Sequence, residues 1–307
     1  MNQRQLQYAI QLSKTRSFSA LAEKLNISQP ALSKQIQSLE KEVGVKLFDR
    51  NKVPLSLTPA GEHFIKAAEE LVYKEEQVLK SMEEFKSGEA GNLVIGISPF
   101  RSLYLIPSIV EKVRKKYPKV KVLLNEKSSD LLRKEVEEGK YDFAIINLPV
   151  DESVLDATPL EPDTLVLAVP NKLLSKVTAK DKSHLAEIDI KDCKNLPFVT
   201  VGESQEMRKL FDKLCKAADF TPNIAMEVVG VTTAWAMAHT GVGATLLPLQ
   251  FISDEKFDDD IALFKIKNNR YFRQPAIVTR RGEYLSEYAK FAMNLLTEEV
   301  KNVKRKK

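Results

Sequence analysis

Between Ser28 and Gln37 the sequence runs SQPALSKQIQ, and its polar members fall on one side of a helical repeat. Gln29, Ser33, Lys34 and Gln37 carry donors and acceptors of the kind that reach base edges and phosphate oxygens in a DNA groove. On the opposite side Leu32, Ile36, Leu39 and Val43 recur at helical spacing and form an apolar stripe. Ser28 reads as the N-cap and Pro30 falls in the first turn, where a missing N–H does little harm. Gln29 projects from the N-terminal end of this helix and is the candidate base reader. Ser33 and Lys34 suit phosphate contacts, which position a protein without reading sequence. The competing reading of each residue is a solvent-facing helix position.

A second kind of chemistry is suggested where strands run into helices. Ser98-Pro99-Phe100-Arg101 follows one strand-like run and Lys127-Ser128-Ser129 follows another. Helix N-termini present free N–H groups and a partial positive charge, so both places favour an anion. Ser98, Ser128 and Ser129 add hydroxyl donors, and Arg101 or Lys127 adds charge. The plainer reading is that these serines only cap helices.

These residues need elements to position them. Leu21, Ala22 and Leu25 give the inward face of a short helix before the reading helix, with Ser19 as its expected N-cap and Asn26–Ile27 as the break. Together the two helices have the sequence form of a helix-turn-helix. Gly44 is a plausible C-cap. Two extended pieces, Val45–Phe48 and Leu55–Leu57, then flank a polar turn and suggest a β-wing with Arg50 and Lys52 facing the phosphate backbone. Thr58-Pro59-Ala60-Gly61 is a capped helix start. The helix it opens is expected to reach about Lys86, with apolar residues at 64/65, 68, 71/72, 78/79, 82 and 85. That repeat suggests a self-pairing helix; an amphipathic helix lying on its own domain is the alternative. From Leu93 strand-like runs alternate with helices at 100–117, 129–139, 203–218, 231–239 and 283–300. Such alternation implies a mostly parallel sheet with helices on both faces. The expected domains are 1–58, a linker helix at 59–90, and 91–307, the last divided into a lobe of 91–162 plus 268–307 and a lobe of 163–267. Ligands in such sheets bind beyond the carboxyl ends of the strands, here between the lobes.

Composition narrows the function classes. Residues 1–58 hold nine Lys and Arg against four Asp and Glu, whereas residues 59–300 hold 33 against 38. The head is therefore the electropositive part and fits a polyanion. The basic tail Lys301–Lys307 is read as solvated. No apolar run is long enough to span a bilayer, and the N-terminus lacks a signal-peptide pattern, so a cytoplasmic protein is expected. Cys193 and Cys215 are far apart and lie in no metal or CxxC spacing, and His63, His184 and His239 are scattered. Neither a metal nor a cofactor is expected. Both cysteines read as structural thiols rather than redox sensors, and Trp235 and Met237 as core. No nucleophile–base pair or catalytic carboxylate pair is legible, which argues against an enzyme.

The chain resembles the LysR-type transcriptional regulators over nearly its whole length. The resemblance is carried by Phe18, Ala22, Leu25, Ser28-Gln29-Pro30-Ala31-Leu32-Ser33, Ile36, Leu39-Glu40, Gly44, Leu47-Phe48, Arg50 and Leu57-Thr58-Pro59-Ala60-Gly61. It continues more weakly through Gly139–Ile145 and Gly241–Pro248. Leu21 and Val53 depart from the family, where alanine and a wing arginine are common; Lys52 is the expected substitute for that arginine. The resemblance implies an N-terminal, mainly α winged helix-turn-helix with a long dimerising linker helix, then an α/β two-lobed effector domain like a periplasmic binding protein. It also implies double-stranded promoter DNA and a small-molecule effector as partners, and homodimers assembling into homotetramers. The family's effector site adds Thr200, Gly202, Glu203 and Thr232 to the candidates at Ser98, Pro99, Arg101, Lys127, Ser128 and Ser129. A small carboxylate or similar anion is the expected effector. The alternative is a two-lobed cytoplasmic solute-binding protein, or an enzyme on that scaffold.

Overall fold

The computed structural model of the chain describes residues 1–87, 90–252, 260–267 and 273–305. It divides into two compact units, Met1–Lys86 and Ser87–Lys307.

In the first unit α1 (Gln3–Thr15), α2 (Phe18–Lys24) and α3 (Gln29–Val43) pack around Leu12, Leu21, Leu32, Ile36 and Leu39, all fully buried. Asn2 and Gln5 close a reciprocal capping box on α1. Arg16 ends it in the left-handed conformation at φ 53°. The chain turns at once, so Ser17 rather than Ser19 caps α2, its Oγ accepting from the Ala20 N–H at 3.3 Å. Asn26, at φ 52°, makes the break before α3. Ser28 caps α3, and Gly44 ends it at φ 77°.

The wing strands β1 (Phe48–Asp49) and β2 (Ser56–Leu57) pair antiparallel but are shorter than the sequence suggests. The reason lies in their partners. Leu47 and Phe48 donate their N–H groups to Glu40 at 2.9 and 3.2 Å, and Leu55 donates to the Arg16 carbonyl at 3.2 Å. The backbone groups that would extend the ladder are already used. In α4 (Pro59–Ser87) the Thr58 hydroxyl accepts from the Gly61 N–H at 2.9 Å and donates to the Lys46 carbonyl at 2.7 Å. A Cβ on Gly61 would lie 2.0 Å from the Leu47 carbonyl oxygen, so only glycine lets this helix start so close to the wing.

The second unit is built from β3 (Gly91–Ile97), α5 (Pro99–Lys116), β4 (Val120–Glu126), α6 (Ser129–Glu137), β5 (Phe143–Asn147) and β6 (Leu155–Pro159). The chain then crosses to β7 (Leu165–Pro170), β8 (Glu187–Ile188), β9 (Pro197–Val201), α7 (Glu206–Ala217), β10 (Asn223–Val228), α8 (Val231–Thr240), β11 (Thr245–Pro248) and β12 (Ile261–Ile266). It returns for β13 (Pro275–Arg280) and α9 (Glu287–Arg305). One sheet has the order β4-β3-β5-β13-β6 and the other β11-β7-β12-β8, with β9 and β10 paired beside it through a bridge from Phe198 to Ala244. Gly243 permits that approach, since a Cβ there would stand 2.7 Å from the Pro197 carbonyl oxygen.

The expectation of mostly parallel sheets needs correction. β3 runs parallel to β4 and β5, but β13 is antiparallel to both β5 and β6, and β7 is antiparallel to β11 and β12. Parallel strands require a crossover on the same sheet. Here β13 enters from the other lobe and runs the opposite way. The two crossings pair with each other: Asp163 donates its N–H to the Arg273 carbonyl at 2.9 Å, and Leu160 to Pro275 at 2.8 Å.

Candidate DNA-reading surface and effector cleft

On α3 the apolar stripe is buried, and the opposite face leaves Ser28, Gln29, Pro30, Lys34 and Gln37 exposed. Gln29, Lys34 and Gln37 are spread over about two turns of the exposed side. Ser33, half-buried, is engaged by a residue from the wing. Arg50 donates to its Oγ at 3.3 Å and pairs with Glu40 at 3.4 Å, while the guanidinium lies 5.0 Å from the Phe18 ring centre. Arg50 thus ties the wing to α2 and α3 rather than standing free for a phosphate. Lys52 and Val53 are exposed at the wing tip. Glu40 is the organiser that single-residue reasoning missed. Its carboxylate, 2% exposed, accepts from two backbone N–H groups and faces Lys46 and Arg50. Its place on the apolar side of the helix was the available signal.

In the second unit a cavity of about 480 Å³ opens between the lobes. The N-terminal turns of α5, α6, α7 and α8 all reach it, through Ser98–Arg101, Ser128–Asp130, Gln205–Met207 and Gly230–Thr232. Ser98, Pro99, Arg101, Lys127, Ser128, Ser129 and Thr232 are therefore brought together as the sequence suggests. Ser98 caps α5 on the Arg101 N–H at 3.5 Å, whereas the Ser128 hydroxyl makes no cap bond.

Thr200, Gly202 and Glu203 do not line this cavity. Thr200 is buried on β9 and accepts from Arg208 at 3.3 Å, and Glu203 points to solvent 3.8 Å from Arg208. The loop after β9 faces Arg208, which Asp212 and Glu227 also hold, and the lining begins only at Ser204.

Arg101 and Lys127 reach the cavity with their charges already engaged. Lys127 donates to both oxygens of Glu135 at 2.8 Å. Arg101, 2% exposed, donates to Asn147 at 2.6 Å and to Asp163 at 2.9 Å. Arg273, which sequence reasoning did not select, brings Nη2 to 2.6 Å from the same Asp163 oxygen. That contact is an ion pair without hydrogen-bond direction, so Arg273 Nη2 and Nε and Arg101 Nε are buried donors lacking an acceptor. Burial works against both cations. At Arg101 the attraction and hydrogen bond of Asp163, with Tyr104 and Glu206, together outweigh it and raise the pKa; at Arg273 the neighbouring charges do not, and the pKa is lowered. Two guanidiniums thus share one close carboxylate at the cavity floor. Glu206 stands near, accepting from the Asn147 amide.

Cys193 and Cys215 are buried in the core of the second lobe, and burial pushes both thiols up to about 12. Trp235 packs against that core and edge-on to His239. Among the described residues no His, Cys, Asp and Glu side chains cluster as metal ligands. No described helix is long and apolar enough to cross a membrane.

Comparison with known proteins agrees with this arrangement. Residues 3–62 match the bacterial regulatory helix-turn-helix protein, lysR family, and residues 86–301 match the LysR substrate binding domain. The chain is a LysR-type transcriptional regulator. It is 31% identical to the uncharacterised HTH-type transcriptional regulator YcgK of Bacillus subtilis, with 96% of this chain and 94% of that one covered. It is 33% identical to the regulator AlsR of the same organism over 81% of this chain and 80% of AlsR. Among solved structures, a full-length OxyR variant from Pseudomonas aeruginosa matches with a TM-score of 0.65 at 22% identity, covering 98% of this chain and 95% of that one. CbnR in complex with its target DNA matches at 0.58 and 20% identity, covering 99% and 100%. The LysR-type regulator therefore has a DNA-binding head and a substrate-binding domain, and it is not an enzyme.

Proposed function

We propose that this LysR-type regulator reads its operator through Gln29 and responds to a small anion, such as a carboxylate, held between the two lobes. For the head, the supporting observation is the exposed stripe Gln29–Lys34–Gln37 opposite the buried Leu32–Ile36–Leu39. A helix of this kind enters the major groove with its N-terminal residues toward base edges. Lys34, with Lys52 at the wing tip, supplies phosphate attraction. Ser28, Pro30 and Ser33 shape the surface, and Arg50 holds the wing in register through Ser33 and Glu40.

For the effector, the carrying observation is the floor of the cavity, where Arg101 and Arg273 share Asp163 and keep three donor atoms without acceptors. Unpaired buried donors are costly, and an anion that satisfies them recovers that cost on binding. The hydroxyls of Ser98, Ser128, Ser129 and Thr232 surround the same space.

The assembly is a homodimer joined through residues 59–86, further paired into a tetramer, in the cytoplasm. Leu71, Val78, Leu79 and Met82 support this reading: they are about half exposed on a long helix and offer an apolar stripe to a second copy. The side chain of Phe85, which would continue the stripe, lies outside those described, as do those of the basic tail.

The test of the head is a gel-shift titration on the DNA upstream of its own gene. Retardation that survives competitor DNA is expected; absence of any shift at low salt overturns the reading. The effector reading is tested by calorimetry with small mono- and dicarboxylates on the full chain, and fails if only neutral or cationic compounds give heat.

A further inference from the structure

The cavity has two walls of opposite character. At the floor Arg101 and Arg273 share Asp163 and carry the donors without acceptors, with Glu206, held by the Asn147 amide, beside them. Among the described residues lining the cavity at the β4 edge the one cation is Lys127, and it is turned onto both oxygens of Glu135, which also takes Lys140 and the Tyr141 hydroxyl. That edge is left with two carboxylates that no cation neutralises. Glu126 is exposed and accepts from the uncharged hydroxyl of Ser102; Asp130 is exposed in the first turn of α6, its carboxylate without a hydrogen bond or ion pair among the described residues. Both line the cavity.

We propose that the effector is a zwitterion of the amino-acid class, its carboxylate on the Arg101–Arg273 floor and its ammonium on Glu126 and Asp130. The proposal rests on the reading of this cavity as the effector site. A ligand with a second carboxylate would press it against two unneutralised acids, whereas an ammonium group meets them with opposite charge.

Pro99, Phe100, Leu103, Met207, Val229 and Val231 supply the apolar lining, which favours an uncharged side chain.

The experiment is calorimetry on the full-length protein with three probe sets: α-amino acids with uncharged side chains, their N-acetyl derivatives, and their methyl esters. Acetate and succinate serve as simple carboxylates. At least one free amino acid is expected to bind, and N-acetylation or esterification is expected to weaken it tenfold or more. The double variant Glu126→Gln/Asp130→Asn is expected to lose the same factor for the free amino acid while its affinity for acetate is unchanged or higher. Both positions are exposed, and an unchanged urea-unfolding midpoint followed by circular dichroism checks that the variant is folded. If N-acetyl derivatives or succinate bind as tightly as the free amino acid, the zwitterion assignment is overturned and the anion reading stands. If no probe gives heat at millimolar concentration, both fall.

Discussion

Arg101 and Asp163 form a buried ion pair at 2.9 Å that joins the first helix of one lobe to the connection crossing into the other. Asp163 also hydrogen-bonds through its backbone to Arg273 on the returning crossing, so one residue serves both passages of the chain. Removing its charge leaves two buried guanidiniums facing each other. Asp163→Asn is therefore expected to destabilise the effector domain by about 3–5 kcal/mol, the usual cost of stripping one partner from a buried pair. Urea unfolding followed by circular dichroism checks this. A loss under about 1 kcal/mol would mean that water or Glu206 already compensates the cations.

The head was legible because its signals are local. Ser28, Pro30, Gly44 and Thr58 mark element ends through their own backbone chemistry, and Leu32, Ile36 and Leu39 repeat within one helix. The effector cleft was legible only in part. Ser98 and Ser128 announce helix starts, but nothing within reach of Arg273 in the sequence tells that it meets Asp163 across a two-lobed fold. Whether a charge is free is equally a tertiary property: Lys127 and Arg50 read as available cations until Glu135, Ser33 and Glu40 are seen to hold them. The direction of β13 was hidden for the same reason, since it depends on where the chain has been before it returns.

On the reading helix, Gln29→Ala and Lys34→Ala are expected to separate base reading from phosphate attraction. Gln29→Ala should cost about 1–3 kcal/mol on operator DNA and little on scrambled DNA. Lys34→Ala should weaken both and lower the salt slope by about one unit. Fluorescence anisotropy titrations across several salt concentrations distinguish them. Equal losses on both DNAs for Gln29→Ala would remove it as a base reader.

The stripe on α4 makes a direct demand on assembly. Leu79 is 57% exposed beside Val78, so a charge there does no harm to a lone helix. Leu79→Glu is expected to shift the protein toward monomer and to weaken binding to a two-half-site operator. Sedimentation velocity at micromolar concentration reads the first effect. An unchanged sedimentation coefficient would assign the stripe to packing within the chain.

The two cysteines are expected to be silent toward peroxide. Burial holds both thiols near 12, so the reactive thiolate is a minute fraction at neutral pH. Operator affinity should be the same before and after treatment with dilute hydrogen peroxide, and mass spectrometry should find both residues reduced. A stoichiometric oxidation adduct at Cys193 or Cys215 that alters affinity would reverse this assignment.

Glu135 controls whether Lys127 serves the cleft. Its carboxyl is held down to about 2 from an ordinary 4.5 by the hydrogen bond from Lys127, then that from Tyr141, with Lys140 adding to both. A group whose folded pKa is depressed contributes stability that is complete above the unfolded value and disappears as pH falls through the folded one. The stability gap between the native protein and Glu135→Gln should therefore be constant above about pH 4.5 and close progressively toward pH 2. At neutral pH the variant also releases Lys127, whose ammonium can then turn into the cavity beside Ser128. Simple carboxylates are expected to bind the variant several-fold more tightly, while a zwitterion gains less because Lys127 now repels its ammonium group. Calorimetry at pH 7 with acetate measures the first effect, and denaturation midpoints between pH 3 and 7 measure the stability gap. A gap that widens on acidification would mean that Glu135 is held by something other than these three donors.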